Sequence, residues 1–354
     1  MARPITRAVT ATAIIALTAG ALSACGANEE AGSGGSKKIA LLLPESQTTR
    51  YEAFDKPLFE AKVKDLCGGD CEVDYFNADQ DQTKQQQQVQ TAITEDVDAM
   101  VLDPVNGKAA AALVSSAHNS DIPVIAYDRF IKGADYYMSF DNERVGELQA
   151  KALVDATNNS GKILMLNGAP DDPNAAQFKK GAHKVLDQSG LKIVGEYDNP
   201  DWSPGNAQQY TATQLGKINP HSLAGVYAAN DGQAGGVIAA LTGSGLSINE
   251  LPPVTGQDAE LAGIQHIADG EQYMTIYKPI TTEAHTAAEV AVKLVNGKDV
   301  NAPKTYQGVK SFIFKPIVVT KDNIAETVVK DKFYSVDDIC TKQYAAACKK
   351  IGLT

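Results

Sequence analysis

From Lys38 onward, short apolar runs and stretches with helical spacing take turns along the chain with little interruption. "KIALLLP", "CEVDYF", "AMVLDP" and "IPVIAYD" have the length and apolar content of strands, bounded by polar, Gly or Pro residues. Between them, "YEAFDKPLFEAKV", "QQQQVQTAITEDV" and "KAAAALVSSAHNS" carry helical periodicity. Such alternation builds parallel βαβ units with helices on both faces of a sheet.

After Asp141 the alternation starts again with "GKILMLNG", "KIVGEYD", "LAGVYAAND", "LPPVTGQD" and "QYMTIYKP". The second series echoes the first. "DAMVLDPVNGKAAA" is answered by "AGVYAANDGQAGG", "IPVIAYDRF" by "LPPVTGQDAEL", and "DYYMSFDN" by "EQYMTIYKP". A repeated order of parts predicts two doubly wound α/β lobes facing each other across a cleft. Ligands of open parallel sheets bind at the carboxyl ends of the strands.

The first residues set the compartment. Arg3 and Arg7 precede an apolar run from Ala8 to Leu22, and Leu22-Ser23-Ala24-Cys25 follows, so residues 1–24 read as a secretory signal with a small-residue cleavage site. The Leu-Ser-Ala-Cys ending resembles a bacterial lipobox, in which Cys25 becomes the lipid-modified first residue. The expectation is a lipoprotein anchored on the extracytoplasmic face of the cell membrane. Residues 25–36 are small and polar beyond the cysteine and read as a flexible tether. Of 354 residues, 330 remain after the signal, too many for one ordinary core and comfortable for two.

With 43 acidic against 32 basic residues, the chain lacks the basic face that nucleic acid demands. Cys67, Cys71, Cys340 and Cys348 form an even set in an exported chain, which points to disulfides. Pairing by proximity is the simplest of three connectivities. The five histidines are scattered without metal-like spacing, and neither a metal nor a cofactor is expected. Asn77, Asp79 and Asp81 begin like a calcium loop, but Gln82 and Gln88 stand where Gly and Glu are required.

At the predicted strand ends lie Asp128-Arg129, Asn230-Asp231, Asp258 and Lys278, with Arg50-Tyr51 after the first strand and Asp172 and Asn174 after "ILMLNG". Carboxylates accept hydrogen bonds, Arg and Lys donate them, and Asn does both. That mixture suits a molecule dense in hydroxyl groups and suits a phosphate poorly. Asp128 and Arg129 are expected to neutralise each other until such a ligand arrives. Trp202, the single tryptophan, lies in "DNPDWSPGN", a loop by its Pro and Gly content, and offers a flat apolar face to a sugar ring.

"IPVIAYDRFI", "YYMSFDNERVGELQAKALVD", "GVYAANDGQAGG", "TGQDAELAGIQHIADG" and "YMTIYKPIT" resemble the type I periplasmic sugar-binding proteins of ABC importers, most closely the D-xylose-binding members. The resemblance spans nearly the whole chain after the signal. It implies the periplasmic binding protein type I fold, two Rossmann-like doubly wound parallel-sheet lobes joined by a three-crossing hinge. Residues 37–140 plus 281–310 would form the N-terminal lobe and 141–280 plus 311–354 the C-terminal lobe.

The same resemblance implies a monomer that clamps a monosaccharide, D-xylose or a related pentose or hexose, and delivers it to a membrane permease without any reaction. By motif it assigns sugar contacts to Arg50, Asp128, Arg129, Asp172, Asn174, Trp202, Asn230, Asp258 and Lys278. Tyr51 occupies a position that is tryptophan in close relatives, and Pro173 separates Asp172 from Asn174. Two other readings share these residues. A sugar sensor would present the closed lobes to a membrane receptor; a glycoside hydrolase would use Asp128, Asp172 and Asp258 as paired carboxylates. A cationic neighbour at Asp128 opposes the hydrolase, because a general acid needs its pKa raised. A repressor of this fold is excluded by the signal standing where a helix-turn-helix would be.

Overall fold

The computed structural model describes residues 36–354. The signal, Cys25 and the tether as far as residue 35 lie outside the described residues. The chain opens with β1 (Lys37–Leu43), α1 (Lys56–Cys67), β2 (Cys71–Asn77), α2 (Gln82–Thr94), β3 (Ala99–Leu102), α3 (Ala110–His118), β4 (Val124–Tyr127) and β5 (Tyr136–Phe140). It continues through α4 (Asn142–Ala156), β6 (Gly161–Asn167), α5 (Pro173–Leu186), β7 (Leu191–Asp198), α6 (Pro204–Leu215), β8 (Leu223–Ala228) and α7 (Asp231–Gly243). Then follow α8 (Leu261–Asp269), β9 (Thr275–Tyr277), α9 (Ile280–Val295), β10 (Lys304–Tyr306), β11 (Val309–Phe314), β12 (Ile317–Val319), α10 (Val336–Ile339) and α11 (Ala345–Lys350).

The larger sheet runs β10-β11-β5-β4-β3-β1-β2 and is parallel except for the β10–β11 pair. β1 shows why its sequence is apolar at every position from Ile39 onward. Ile39, Leu41 and Leu43 enter one core, Ala40 and Leu42 the core on the opposite face, and both faces are covered by helices.

The second sheet runs β7-β6-β8, also parallel. Val254 bridges Val226, and the backbone N–H groups of Tyr273 and Ile276 donate to the carbonyls of Val254 and Gly256 at 2.9 and 3.2 Å. The segment around Val254 and then β9 therefore continue the sheet, with β12 antiparallel beyond β9. Pro252 and Pro253 carry no N–H, which leaves the predicted strand "LPPVTGQD" with one bridge instead of a ladder. The order β2-β1-β3-β4-β5-β11 is matched by β7-β6-β8, the Val254 segment, β9 and β12. The sequence echo is a repeat of topology.

The backbone passes between the two sheets after Phe140, between Tyr277 and Ile280, and between Phe314 and Ile317. The last passage falls beyond the expected residue 310. β11 stays paired with β5 through Ile313 opposite Ser139 and Phe314 opposite Phe140, and Pro316 then prevents the strand from continuing. Both proximity disulfides are present: Cys67–Cys71 closes the turn from α1 to β2, and Cys340–Cys348 fastens α10 to α11.

Candidate functional site

Each predicted site residue stands at the carboxyl end of a strand. Asp128 and Arg129 follow β4, Asn230 follows β8, Asp258 follows the Val254 segment, and Lys278 follows β9. Asp172 and Asn174 start α5, Trp202 precedes α6, and Arg50-Tyr51 leads into α1. Helix capping fixes several of them. Asp172 Oδ1 accepts from the Asn174 N–H at 2.7 Å, and Pro173 occupies a first-turn position where a missing N–H costs nothing. Asn230 Oδ1 accepts from the Gln233 N–H at 3.0 Å and caps α7, leaving its amide nitrogen for other partners.

All ten residues line one cavity, joined by Thr48, Phe178 and Gln257. None of the ten is more than 4% exposed. Asp128, Trp202 and Asp258 take positive φ values of 53°, 61° and 88°. Aspartate adopts such angles more readily than most residues, whereas a tryptophan there is held by its surroundings.

The expected mutual neutralisation of Asp128 and Arg129 is not what the structure shows. The left-handed turn at Asp128 sends the two neighbouring side chains apart, and each finds another partner. Asp128 Oδ1 lies 3.3 Å from Arg50 Nη1, whereas Arg129 Nε lies 3.0 Å from Asp172 Oδ2 and 3.5 Å from Asp103 Oδ1. Arg129 also donates to the Pro104 carbonyl at 3.2 Å and to the Tyr51 hydroxyl at 3.2 Å. Tyr51 stands between the two guanidinium groups, 5.2 Å from Arg50 and 5.9 Å from Arg129 measured to its ring centre. Lys278 Nζ pairs with Asp258 Oδ1 at 2.7 Å and lies within 6 Å of the Phe140 and Phe178 rings.

The electrostatics follow from this packing. Burial would push Asp128 up, but Arg50, Lys278 and Arg129 together hold its carboxyl below the usual range. That is the reverse of what a general acid needs. Burial pushes Asp172 up against the pull of Arg129, but one of its oxygens caps α5 and the other faces Arg129. Trp202 is buried with Phe178 edge-on at 6.4 Å, and its Nε1–H has no protein acceptor; neither does Asn174 Oδ1 have a donor. Acceptors and donors are thus interleaved around the cavity beside one broad aromatic surface. Three carboxyl groups, of Asp128, Asp172 and Asp258, face three cations, of Arg50, Arg129 and Lys278, so the lining carries no excess of positive charge to hold a phosphate.

Sequence reasoning missed the groups behind this wall. Asp55 takes Arg50 by Nε at 2.9 Å and Nη2 at 2.8 Å, and Glu283 takes Nη2 at 2.9 Å. Asp103 backs Arg129, and the echo of "AGVYAANDGQAGG" in "DAMVLDPVNGKAAA" is the signal that could have found it. Glu283 lies inside a helix with nothing in its neighbourhood to single it out. Among the described residues no cluster of three or more His, Cys, Asp or Glu is placed to hold a metal ion.

A family model described as a periplasmic binding protein domain matches residues 39–299. A D-xylose-binding periplasmic protein of Escherichia coli (strain K12) is 40% identical over 312 residues, covering 85% of this chain and 92% of its own. A multiple sugar-binding periplasmic receptor of Rhizobium radiobacter is 32% identical, covering 78% and 86%. Among solved structures, an ABC transporter solute-binding protein from Clostridium phytofermentans with bound β-D-glucose superposes with a TM-score of 0.77 at 27% identity, covering 86% of this chain and all of that one.

Proposed function

Because the chain belongs to the periplasmic binding protein family, we propose that it captures a monosaccharide, D-xylose first among candidates, between its two lobes and delivers it to an ABC importer. The observation that carries this reading is the cavity itself. Strand ends of both sheets converge on it, and interleaved carboxyl, guanidinium, ammonium and amide groups lie beside the Trp202 indole. A pentose in its ring form presents a hydroxyl on nearly every carbon, each able to donate and accept.

In this reading Arg50, Asp128 and Arg129 meet the sugar from the first lobe. Asp172, Asn174, Trp202, Asn230, Asp258 and Lys278 meet it from the second, and Tyr51 fills the wall between the arginines. Only the closed arrangement makes both sets of bonds, so the sugar shifts the hinge toward closure. A sugar lacking one expected hydroxyl would leave a buried charge without a partner, and that is the source of discrimination. The permease receives the closed form, and no bond in the sugar is broken. Cys25 carries the lipid that keeps the protein at the outer face of the membrane.

The test is a calorimetric and thermal-shift panel of monosaccharides on protein starting at Ser36. D-xylose at a thousandfold excess over its dissociation constant is expected to stabilise the fold by about 4 kcal/mol. A flat response to every pentose, with a hexose bound instead, would replace xylose by that hexose; no response to any sugar would remove the sugar reading.

A further inference from the structure

Arg50 is held from three sides before any ligand is considered. A guanidinium has five N–H donors. Nε–H and one N–H of Nη2 go to Asp55, at 2.9 and 2.8 Å; the other N–H of Nη2 goes to Glu283 Oε2 at 2.9 Å. One N–H of Nη1 goes to Asp128 Oδ1 at 3.3 Å. This leaves a single donor, on Nη1, the nitrogen beside Asp128 in the cavity wall.

Glu283 itself is fully buried, makes no other hydrogen bond through Oε1, and does not line the cavity. It sits in the first turn of α9, immediately after the chain crosses from Lys278, a cavity residue, into the first lobe. We infer that Glu283 is a positioning residue for ligand binding: by holding Nη2 of Arg50 it fixes the rotation of the guanidinium that aims the one free Nη1–H at a sugar hydroxyl. The inference rests on the sugar-binding reading of the cavity.

The surrounding charges say in which form Glu283 does this. Arg50, Asp55, Asp128, Tyr127, Tyr137 and Lys278 face it electrostatically from the neighbouring elements. Three carboxyl groups share one guanidinium, and burial beside one another disfavours all three being charged at once. Asp55 has the two-pronged contact, and Asp128 has Lys278 and Arg129 as further support. Glu283 has one contact only, and burial followed by repulsion from Asp128 pushes its carboxyl well above the usual range. A neutral acid there still accepts through its carbonyl oxygen and adds no negative charge.

The experiment compares Glu283→Gln with Glu283→Leu, side chains of similar bulk of which only Gln can accept, by calorimetric titration with D-xylose and by melting of the sugar-free protein. Gln is expected to stay within about threefold of wild type, and Leu to bind about ten- to a hundredfold more weakly, the usual loss of a hydrogen bond to a charged group. Sugar-free melting temperatures are compared to separate misfolding from lost positioning. Equal affinities of the Gln and Leu variants overturn the role. If wild type binds no sugar at all, it is the sugar reading that fails, and the two failures are distinct.

Discussion

Asp231 is a carboxyl group buried with no cation beside it. Its Oδ1 accepts from Gln272 at 2.7 Å, and its Oδ2 from Thr275 at 2.9 Å and the Glu260 N–H at 2.8 Å. Its own N–H donates to the Gln257 carbonyl at 3.0 Å, bracing the loop that presents Asp258. Three donors favour the ionised form, but burial outweighs them and raises the carboxyl from 3.8 to about 8. Between those values the folded protein keeps a proton that the unfolded chain has released. Stability from this group is therefore full below pH 3.8 and is lost as pH rises toward about 8, at about 1.4 kcal/mol per pH unit within the window. Buried Glu260, Asp103 and Glu283 shift in the same direction. Denaturant midpoints of the sugar-free protein should fall from pH 5 to pH 8, and Asp231→Asn should show a shallower fall; parallel slopes would refute the assignment. At this scale the sequence was readable where topology dictates position. Residues at the carboxyl ends of parallel strands face the cleft, which singled out Asp128, Arg129, Asn230, Asp258 and Lys278; Thr48, Phe178 and Gln257 also line the cavity and carried no such signal. Pairing among them was not readable, because a left-handed residue such as Asp128 redirects its neighbour, and nothing in the local sequence announces that turn.

Elements meet through backbone as well as side chains where α4 crosses α5. A Cβ placed on Gly146 would lie 2.0 Å from the Phe178 carbonyl oxygen, and one on Gly181 would lie 2.0 Å from the Glu143 carbonyl oxygen. The two helices approach too closely for any side chain at either point, and α5 carries Asn174 and Phe178 of the cavity. Gly181→Ala should destabilise the second lobe by about 1 to 3 kcal/mol, the usual cost of overpacking, and weaken sugar binding as α5 is pushed aside. Unchanged unfolding and affinity would show that the helices can part at no cost. Alternation of period and length made the βαβ order legible, because each buried strand is apolar on both faces. The limits of strands were less so. The Val254 segment reads as a strand in hydrophobicity, but Pro252 and Pro253 deny it a ladder, and the end of β11 is set by Pro316 and by pairing with β5, a partner far away in sequence.

At the scale of the molecule, closure depends on what the lobes offer each other apart from the sugar. Asn174 Nδ2 donates to the Asp128 carbonyl at 3.1 Å, Arg129 pairs with Asp172, and the Phe54 ring stacks on Phe333 at 4.0 Å. At the lip, outside the cavity, the Gly107 N–H donates to the Asp171 carbonyl at 3.3 Å. A Cβ at Gly107 would come within 2.9 Å of Pro173 Cγ in the opposite lobe and 3.1 Å of the Phe130 carbonyl oxygen. A larger side chain there meets Pro173 only when the lobes are shut, so that part of its strain falls on the closed state alone. The Phe130 contact lies within the first lobe and burdens both states alike. The apparent dissociation constant is the intrinsic one divided by the closed fraction, and Gly107→Val keeps every cavity contact. It should therefore raise the dissociation constant for sugar about tenfold, through a lower closed fraction. Faster release in stopped-flow Trp202 fluorescence and a larger radius of gyration in solution scattering should accompany it. If affinity falls while the scattering profile and release rate stay those of wild type, the lip does not set the hinge equilibrium, and affinity is governed by the cavity alone.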